Sequence, residues 1–549
     1  MSQKLKFSCG CEFPIKVNNQ GKIISLDYLP TLDNTKLDCP TTWNLLAGNT
    51  KGCFQLESNL GQTLSKKLKP QNIEQLAALT AIMRPGCKEA ERDGKTITDH
   101  YIDRKNMRES VDYYHKSLEP ALKDTLGELI YQEGALKIVQ EIAGFDLQQA
   151  DIFRKAIGKK RPEIMAKVKK DFIEGCKIQK IVNEEEAEEI FGWIEKSQRY
   201  SFNKAHAIAY GMNCYLSAYT KSHFELNFFE AYLKWAKEKP KPHEEVRELV
   251  QNARRMGIEI LPPDFRHLNK ECCIVDKKIY FGLEDIKDVG NAILENLDEI
   301  IKNVEKKINK NISDWTWTDF LINVSGKIRS DALKSMIACG ALDYFNVDRT
   351  KMLYEYNLHR NINARESKWL SENTCNISTL EQLFTVMVQH PSGRKGPCSN
   401  INRKEKIEGY LSSLKNPPYS LEDDNIWKAG IEETVLGIAL TCSVIDGKDT
   451  SKANCTCSQY NNGYISEALI IAGKIDRIFE TLTKKGTNAG QPMGWLTISD
   501  HTDTINSVAV FADIYTKLKN LLIENNTVII TGKRGRDGEI FIAQKIEQI

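Results

Sequence analysis

The sequence predicts a multidomain protein: a small β-rich unit at the N-terminus, a mainly α-helical middle and a small β-barrel at the C-terminus. Three observations predict it. Short β-branched and aromatic runs split by a turn signal fill residues 1 to about 45. From about 55 to 235, apolar residues recur at helical spacing. From about 465 onward, apolar and polar residues alternate between glycine-bearing turns. A length of 549 residues fits about three or four domains of ordinary size.

Taken in order, KLKFSCGCEFPIKV and GKIISLDYLP read as strands separated by Asn-Asn-Gln-Gly. QNIEQLAALTAIM has apolar residues at i, i+3, i+4 and i+7. NEEEAEEIFGWIEKS repeats the pattern behind an acidic first turn, which suits the positive end of a helix. KEKPKPHEE, 237–245, reads as a proline- and charge-rich linker. Short helices then alternate with the strand-like KKIYFGL. HPSGRKGPCSN and LKNPPYS mark 390–420 as a poorly structured connector. The last stretch holds five short strands, with the helical TKLKNLLIE between the third and fourth. That is the layout of an OB-type barrel, with a small antiparallel sandwich as the alternative. The expected division is 1–50, 51–236, 237–390, 391–464 as connector and 465–549 as barrel.

Composition narrows the function classes. Hydrophobic residues make up 41% and charged residues 27%, enough apolar content to bury real cores. Net charge is +2, so any polyanionic partner must be met by local clusters and not by the overall field. No run of about 18 apolar residues exists, and the opening MSQKLKFSCGCEF lacks the apolar core of a signal peptide. A cytoplasmic protein without a membrane partner is expected. Fifteen cysteines, scattered and odd in number, read as reduced thiols. Cys9 with Cys11 forms a C-x-C pair, and Cys39 and Cys53 bring the ligand count to four. The spacing is not that of a C-x2-C zinc knuckle, so ordinary thiols are preferred over a zinc site.

The stretch DIFRKAIGKKRPE, 151–163, puts Arg154, Lys155, Lys159, Lys160 and Arg161 on a helix whose apolar residues recur at helical spacing. A lone basic helix is most often a solvated face. Here RYSFNKAHAIAYG, 199–211, adds Lys204 and His206 among aromatics, and AIMRPGC adds Arg84 before a Pro-Gly turn. Lysine and arginine neutralise phosphates and aromatics stack on bases, so the three clusters together point to a phosphate-bearing ligand. The sequence has no GxxxxGK[ST] and no GxGxxG, so such a site would be built from side chains.

These residues carry a resemblance. FQLES (54–58), LKP (68–70), RPG (84–86), YQE (131–133), IAGFDLQQADIFRKAIGKKRPEIM (142–165) and SFNKAHAIAYG (201–211) resemble the fingers of bacterial C-family replicative DNA polymerases, the polymerase III alpha subunits. The motifs stand in the family's order and rough spacing. MGIEILPPD and FGLEDIKDVGNAIL resemble its helix-hairpin-helix region, KSMIACGALD the segment after it, and EETVLGIALT the approach to its OB domain. The resemblance covers roughly residues 38–549 and implies a fold of α fingers, a helix-hairpin-helix region and an OB barrel.

The resemblance also implies roles. Arg154 and Lys155 stand where family fingers present paired basic residues to the incoming nucleotide's phosphates. Lys155 replaces a usual arginine and keeps the charge but not the fork. Lys159, Lys160, Lys204, His206 and Arg84 follow as neighbours of that nucleotide site. Lys287 and Gly290, in IKDVG, would meet a DNA backbone, with an ordinary helix-turn-helix joint as the plain alternative. Trp495 and Phe511 are candidate base-stacking residues of the barrel. Gln382, Leu383 and Phe384, in TLEQLFTVM, lie near the family's sliding-clamp peptide, although an amphipathic helix turn explains them as well.

The catalytic centre is absent from these residues. Upstream of FQLES there is no D-x-D, the only aspartates being Asp27, Asp33 and Asp38, and nine histidines in all leave no His-rich PHP pattern. The expectation is therefore a component of a polymerase. A separate chain would supply PHP and palm and hold Mg2+, and this chain would bind primer–template DNA and dNTP through fingers and DNA-binding modules. The opening Met and the unmatched first 35 or so residues read as a short natural protein from a split gene, bacterial or phage-encoded, with residues 1–50 forming part of the dock. The alternative is a non-catalytic DNA-binding accessory or regulatory protein derived from such a subunit.

Overall fold

A computed structural model describes residues 3–17, 23–26, 31–84, 87–88, 91–159, 162–198, 202–373, 377–483, 489–535, 538 and 540–549. Lys160, Arg161, Arg199 and the Asn-Asn-Gln-Gly turn lie outside the described residues. The chain divides into two compact units, Met1–Phe228 and Phe229–Ile549.

The first unit opens as expected with a β-rich element. Strands β1 (Gln3–Lys6), β2 (Glu12–Val17) and β3 (Ile23–Leu26) form an antiparallel sheet in that order. Register pairs Lys6 with Glu12 across the hairpin, and Phe13 of β2 is fully buried. The sheet packs in one core with Pro40–Leu46, Ile73–Ile82 and Lys204–His223. Pro40 occupies the first turn of its helix, where a missing N–H costs nothing. Asn72 caps Ile73–Ile82 by accepting the Gln75 amide. Every residue from Leu76 to Ile82 is buried, because that helix is enclosed on all sides by the long Lys204–His223 helix and its neighbours. A two-strand hairpin, β4 (Glu91–Arg92) and β5 (Lys95–Thr96), follows.

A second core in the same unit is a bundle of Gln132–Ala143, Leu147–Lys159, Pro162–Gln179 and Glu184–Gln198. Phe153, Phe172 and Phe191 meet in its centre. The acidic start of NEEEAEEIFGWIEKS behaves as its pattern predicts. Asn183 accepts the Glu186 amide and Glu186 accepts the Asn183 amide, a reciprocal cap. Gly175 permits a close helix approach: a Cβ there would stand 2.3 Å from the carbonyl oxygen of Ala143.

The stretch read as a linker lies inside the second unit and holds a helix start. Pro242 and the acids after it start the helix Pro242–Arg255, since proline and glutamate both favour a first helical turn. A small sheet follows, β6 (Ile260–Leu261), β7 (Cys273–Val275) and β8 (Lys278–Tyr280), in the order β6-β8-β7. Helices then succeed one another through Asn291–Ile308, Ser330–Ala338, Arg349–His359 and Leu380–Gln389. The expected poorly structured connector is in part helical. Ile401–Lys415 is held by an Asn400 cap and by Arg403, which pairs with the buried Glu366, and Asn425–Leu436 is capped by Asp424. The glycines and prolines of HPSGRKGPCSN and LKNPPYS flank that first helix without entering it.

The C-terminal strands β9 (Leu469–Leu482), β10 (Pro492–Ser499), β11 (Thr504–Val510), β12 (Thr527–Arg534) and β13 (Phe541–Gln548) close into a barrel, ordered β10-β11-β13-β12-β9. β11 and β13 are parallel and the other pairs antiparallel. The helix Ala512–Leu518 sits between the third and fourth strands. Closure and strand order are those of the OB fold, which settles the barrel over the open sandwich. No helix among the described residues is long and apolar enough to cross a membrane.

Candidate functional site

Helix Leu147–Lys159 divides cleanly by side. Phe153 and Ala156 are buried in the bundle core, while Arg154 is half-buried and Lys155 exposed. One carboxylate serves both cations. Asp151 accepts from Arg154 Nε at 3.1 Å and Nη2 at 2.8 Å, and its other oxygen lies 2.6 Å from Lys155 Nζ. The hydrogen bonds from Lys155 and Arg154 hold the Asp151 carboxyl below its ordinary pKa. At this surface position the ion pairs are weak and readily exchanged for another anion. Lys159 ends this helix.

The other basic residues of the first unit gather about the start of Lys204–His223. Asn203 caps that helix by accepting the His206 amide at 2.9 Å. The guanidinium of Arg84 lies 3.9 Å over the ring of Phe202. Phe202 meets the imidazole of His206 edge-on at 5.0 Å, and His206 lies tilted against Tyr210 at 4.1 Å, which in turn lies 5.2 Å from the ring of Phe54. An arginine, an imidazole and three aromatic rings thus form one continuous row, with Arg84, His206 and Phe54 exposed. Lys204 lies 5.9 Å from the ring of Tyr131 and 3.4 Å from Asp124.

Backbone bonds knit the distant motif blocks to this row. Gln132 N donates to the Phe202 carbonyl at 3.0 Å, and Phe202 N donates to the Ile130 carbonyl at 3.3 Å. Glu133 accepts from Asn203 Nδ2 and from the Lys204 amide. Phe54, Arg84, Gln132–Glu133 and Phe202–Tyr210, far apart in sequence, are therefore linked in space. Arg154 and Lys155 sit on the adjacent bundle, and their ion pairs are with Asp151.

In the second unit, Gly290 precedes the 18-residue helix Asn291–Ile308 with a φ of −100°. Gly290 is exposed, and a Cβ there would meet nothing within 4 Å among the described residues. Lys287 is exposed and its amide donates to the Val435 carbonyl at 3.0 Å. The turn is braced from Ser330–Ala338: Ser335 Oγ donates to Asp288 and Arg329 Nη2 to the Asp288 carbonyl. On the barrel, Trp495 is half-buried on the outer face and Phe511 is exposed. Opposite Trp495 in register stands Phe479, exposed by 69%. Phe479 was not singled out from sequence. Its signal was an aromatic at an outward position of an alternating strand, which a count of apolar residues alone passes over.

Two groups of residues behave as structural elements. Leu383 and Phe384 are fully buried in Leu380–Gln389, and Gln382 accepts from Ser378 as part of the helix start. Only Gln382 reaches the surface, so the folded segment presents no Leu-Phe end to a clamp. Asp423 of the Glu-Asp-Asp run accepts the amides of Arg349 and Thr350, and Asp424 that of Trp427, so both are helix caps. Among the described residues the one grouping of three or more His, Cys, Asp or Glu side chains that could hold a metal is Cys9, Cys11, Cys39 and His223. That sulfur-rich set does not suit Mg2+, which prefers oxygen.

Comparison with known proteins agrees with the geometry. Residues 16–180 match the family described as the bacterial DNA polymerase III alpha subunit finger domain, and residues 257–352 match a helix-hairpin-helix motif. Relatives named DNA polymerase III subunit alpha include that of Aquifex aeolicus, 30% identical over 513 residues, covering 92% of this chain and 38% of the relative. That of Thermus aquaticus is 29% identical over 553 residues, covering 96% and 39%. That of Pseudomonas aeruginosa is 30% identical over 525 residues, covering 94% and 42%. The chain thus spans about two fifths of the length of the curated relatives it matches.

Proposed function

Because the chain carries the finger domain and helix-hairpin-helix motif of bacterial DNA polymerase III alpha subunits, we propose that it supplies the nucleotide-binding fingers and DNA-binding modules of a DNA polymerase whose palm lies on a second polypeptide. The observation that carries this reading is the assembly of three separated motif blocks into one cationic and aromatic row, Arg84–Phe202–His206–Tyr210–Phe54, in the same compact unit as the outward Arg154 and Lys155.

In the assembled enzyme Arg154 and Lys155 exchange Asp151 for the triphosphate and offset charge on the departing pyrophosphate. Arg84 and Lys204 extend the positive surface, and His206 offers a hydrogen bond to a phosphate oxygen. Palm carboxylates on the partner chain would hold Mg2+, which would supply charge stabilisation for phosphoryl transfer. The Gly290 helix start meets a duplex phosphate, and the outer barrel face meets single-stranded template. No step is assigned to a sliding clamp.

The test is primer extension by this chain alone and with a PHP/palm-bearing chain. Extension is expected only in the mixture. Extension by the lone chain would overturn the placement of the catalytic centre. DNA binding without extension in any mixture would favour the non-catalytic accessory reading.

The barrel surface gives a separate expectation. Phe479→Ala with Trp495→Ala is expected to weaken binding of a single-stranded oligonucleotide by about 1–3 kcal/mol for each stacked base lost. Fluorescence anisotropy measures this, and circular dichroism should show the barrel retained, because Phe479 is exposed and Trp495 only half-buried. Unchanged affinity would remove this face from the DNA path.

A further inference from the structure

We infer that Cys9, Cys11, Cys39 and His223 form a structural zinc site that staples the N-terminal hairpin to the end of the long fingers helix. The donor atoms of the four side chains all lie within 4.8 Å of one another. Cys9 Sγ is 3.3 Å and Cys39 Sγ 3.7 Å from His223 Nε2. Tetrahedral zinc with about 2.3 Å to sulfur and about 2.0 Å to nitrogen places its sulfur and nitrogen ligands about 3.6 Å apart, so the cluster already has the dimensions of such a site.

The histidine is oriented for the task. His223 Nδ1 lies 2.8 Å from the Tyr219 carbonyl, which is an acceptor only, so Nδ1 carries the proton. The lone pair of Nε2 then faces the sulfurs. A ring nitrogen fixed by a backbone carbonyl while the other meets the metal is the usual outer support of a zinc histidine. His223 is also the last residue of a 20-residue helix, the end at which a cation is favoured.

The remaining ligands are equally placed by the fold. Cys9 and Cys11 flank Gly10, whose φ of +82° makes the tight turn between β1 and β2, closed by Phe7 N donating to the Cys11 carbonyl at 2.9 Å. The backbone of Cys39 is held by Tyr215, whose hydroxyl accepts the Cys39 amide at 3.2 Å and donates to the Lys36 carbonyl at 2.7 Å. Phe7, Phe13 and Phe224 pack around the imidazole. Cys11, Cys39 and His223 are buried and Cys9 is half-buried. Four protein ligands leave no open position, which makes the site structural and not catalytic. Its ligands come from residues 184 and 214 positions apart, so the ion would add a long-range closure to the core that the sheet shares with the helices.

The test uses the full-length chain purified with a thiol reductant and no added metal, its zinc measured by plasma mass spectrometry. About one zinc per chain is expected, from the ligand count of one tetrahedral site. Cobalt(II) added to chelator-stripped protein should give the visible bands of a tetrahedral thiolate complex. Cys9→Ser, the mildest change because Cys9 is the least buried ligand, should lower zinc affinity by more than the about 10–100-fold typical of losing only an outer partner. His223→Cys should retain the metal as a four-sulfur site, and Cys53→Ser, a buried thiol outside the cluster, should not alter zinc content. Chelation of the unmodified chain should lower its melting temperature, a readout independent of any variant. A folded, reduced chain that takes up neither zinc nor cobalt, or a Cys53→Ser variant that loses as much metal as Cys9→Ser, would overturn the assignment. So would a disulfide among the three cysteines in the purified protein.

Discussion

Arg349→Ala is expected to destabilise the second unit by about 3–5 kcal/mol, the range for breaking a buried ion pair by removing one partner. The Arg349 side chain is 1% exposed and that of Glu432 0%. Nη1 donates to Glu432 at 2.7 Å and to the Ala338 carbonyl at 3.1 Å, while Nε and Nη2 hold both oxygens of Asp343. Burial alone would lower the arginine's pKa, but the carboxylates of Asp343 and Glu432 outweigh it and hold the charged form. Glu432 also accepts the amides of Leu440 and Thr441, so loss of the arginine leaves a fully buried carboxylate without its hydrogen-bonded cation, Arg254 acting on it only electrostatically. The space is closed as well. Gly340 has a φ of +90°, and a Cβ there would stand 2.3 Å from Arg349 Nη2. Urea titration followed by circular dichroism measures the effect. Arg349→Met combined with Glu432→Gln should recover part of the loss, since removing both charges removes the unpaired one. A single-variant effect below about 1 kcal/mol would contradict the ion-pair account.

In the enzyme assembled with a palm-bearing chain, Arg154→Ala is expected to lower kcat/KM for dNTP by about 10–100-fold, with KM raised and kcat lowered. That range converts the loss of about 1.5–3 kcal/mol for hydrogen bonds to a charged group. Arg154→Lys should retain part of the activity, because the charge survives while the two-pronged contact does not. Asp151→Asn should lower nucleotide KM, since the carboxylate that now holds Arg154 and Lys155 competes with the triphosphate. Single-nucleotide incorporation kinetics separate KM from kcat. An unchanged kcat/KM in Arg154→Ala would remove this residue from the nucleotide site while leaving the fold untouched, because its side chain lies outside the bundle core.

Much of the architecture was legible in the sequence where a local pattern carried it. Apolar spacing found the bundle helices, and the acidic turn at Glu184–Glu186 found a helix start. Alternation with one interposed helix found the barrel, including its strand count. The helix Ile401–Lys415 was missed because the glycines and prolines on either side dominate a composition-based reading, whereas a cap at Asn400 and a buried partner for Arg403 decide the backbone. Leu383 and Phe384 illustrate the converse. A short Gln-Leu-Phe string is compatible with an exposed peptide or a helix, and only packing against Ile401–Lys415 shows both apolar side chains buried.

By itself the sequence determined the bundle helices and the barrel strands, where the cationic and aromatic residues fall, and which polymerase subunit they resemble. Periodicity and capping act over a few residues, so a linear reading captures them. Tertiary structure alone decided what those residues meet. It set His223 beside Cys9 and Cys39, left Cys53 out, joined Arg84 to Phe202 and placed Phe479 opposite Trp495. Such pairings depend on chain closure over as many as 214 residues, and the free energy that selects them comes from burial and hydrogen bonding across the whole unit.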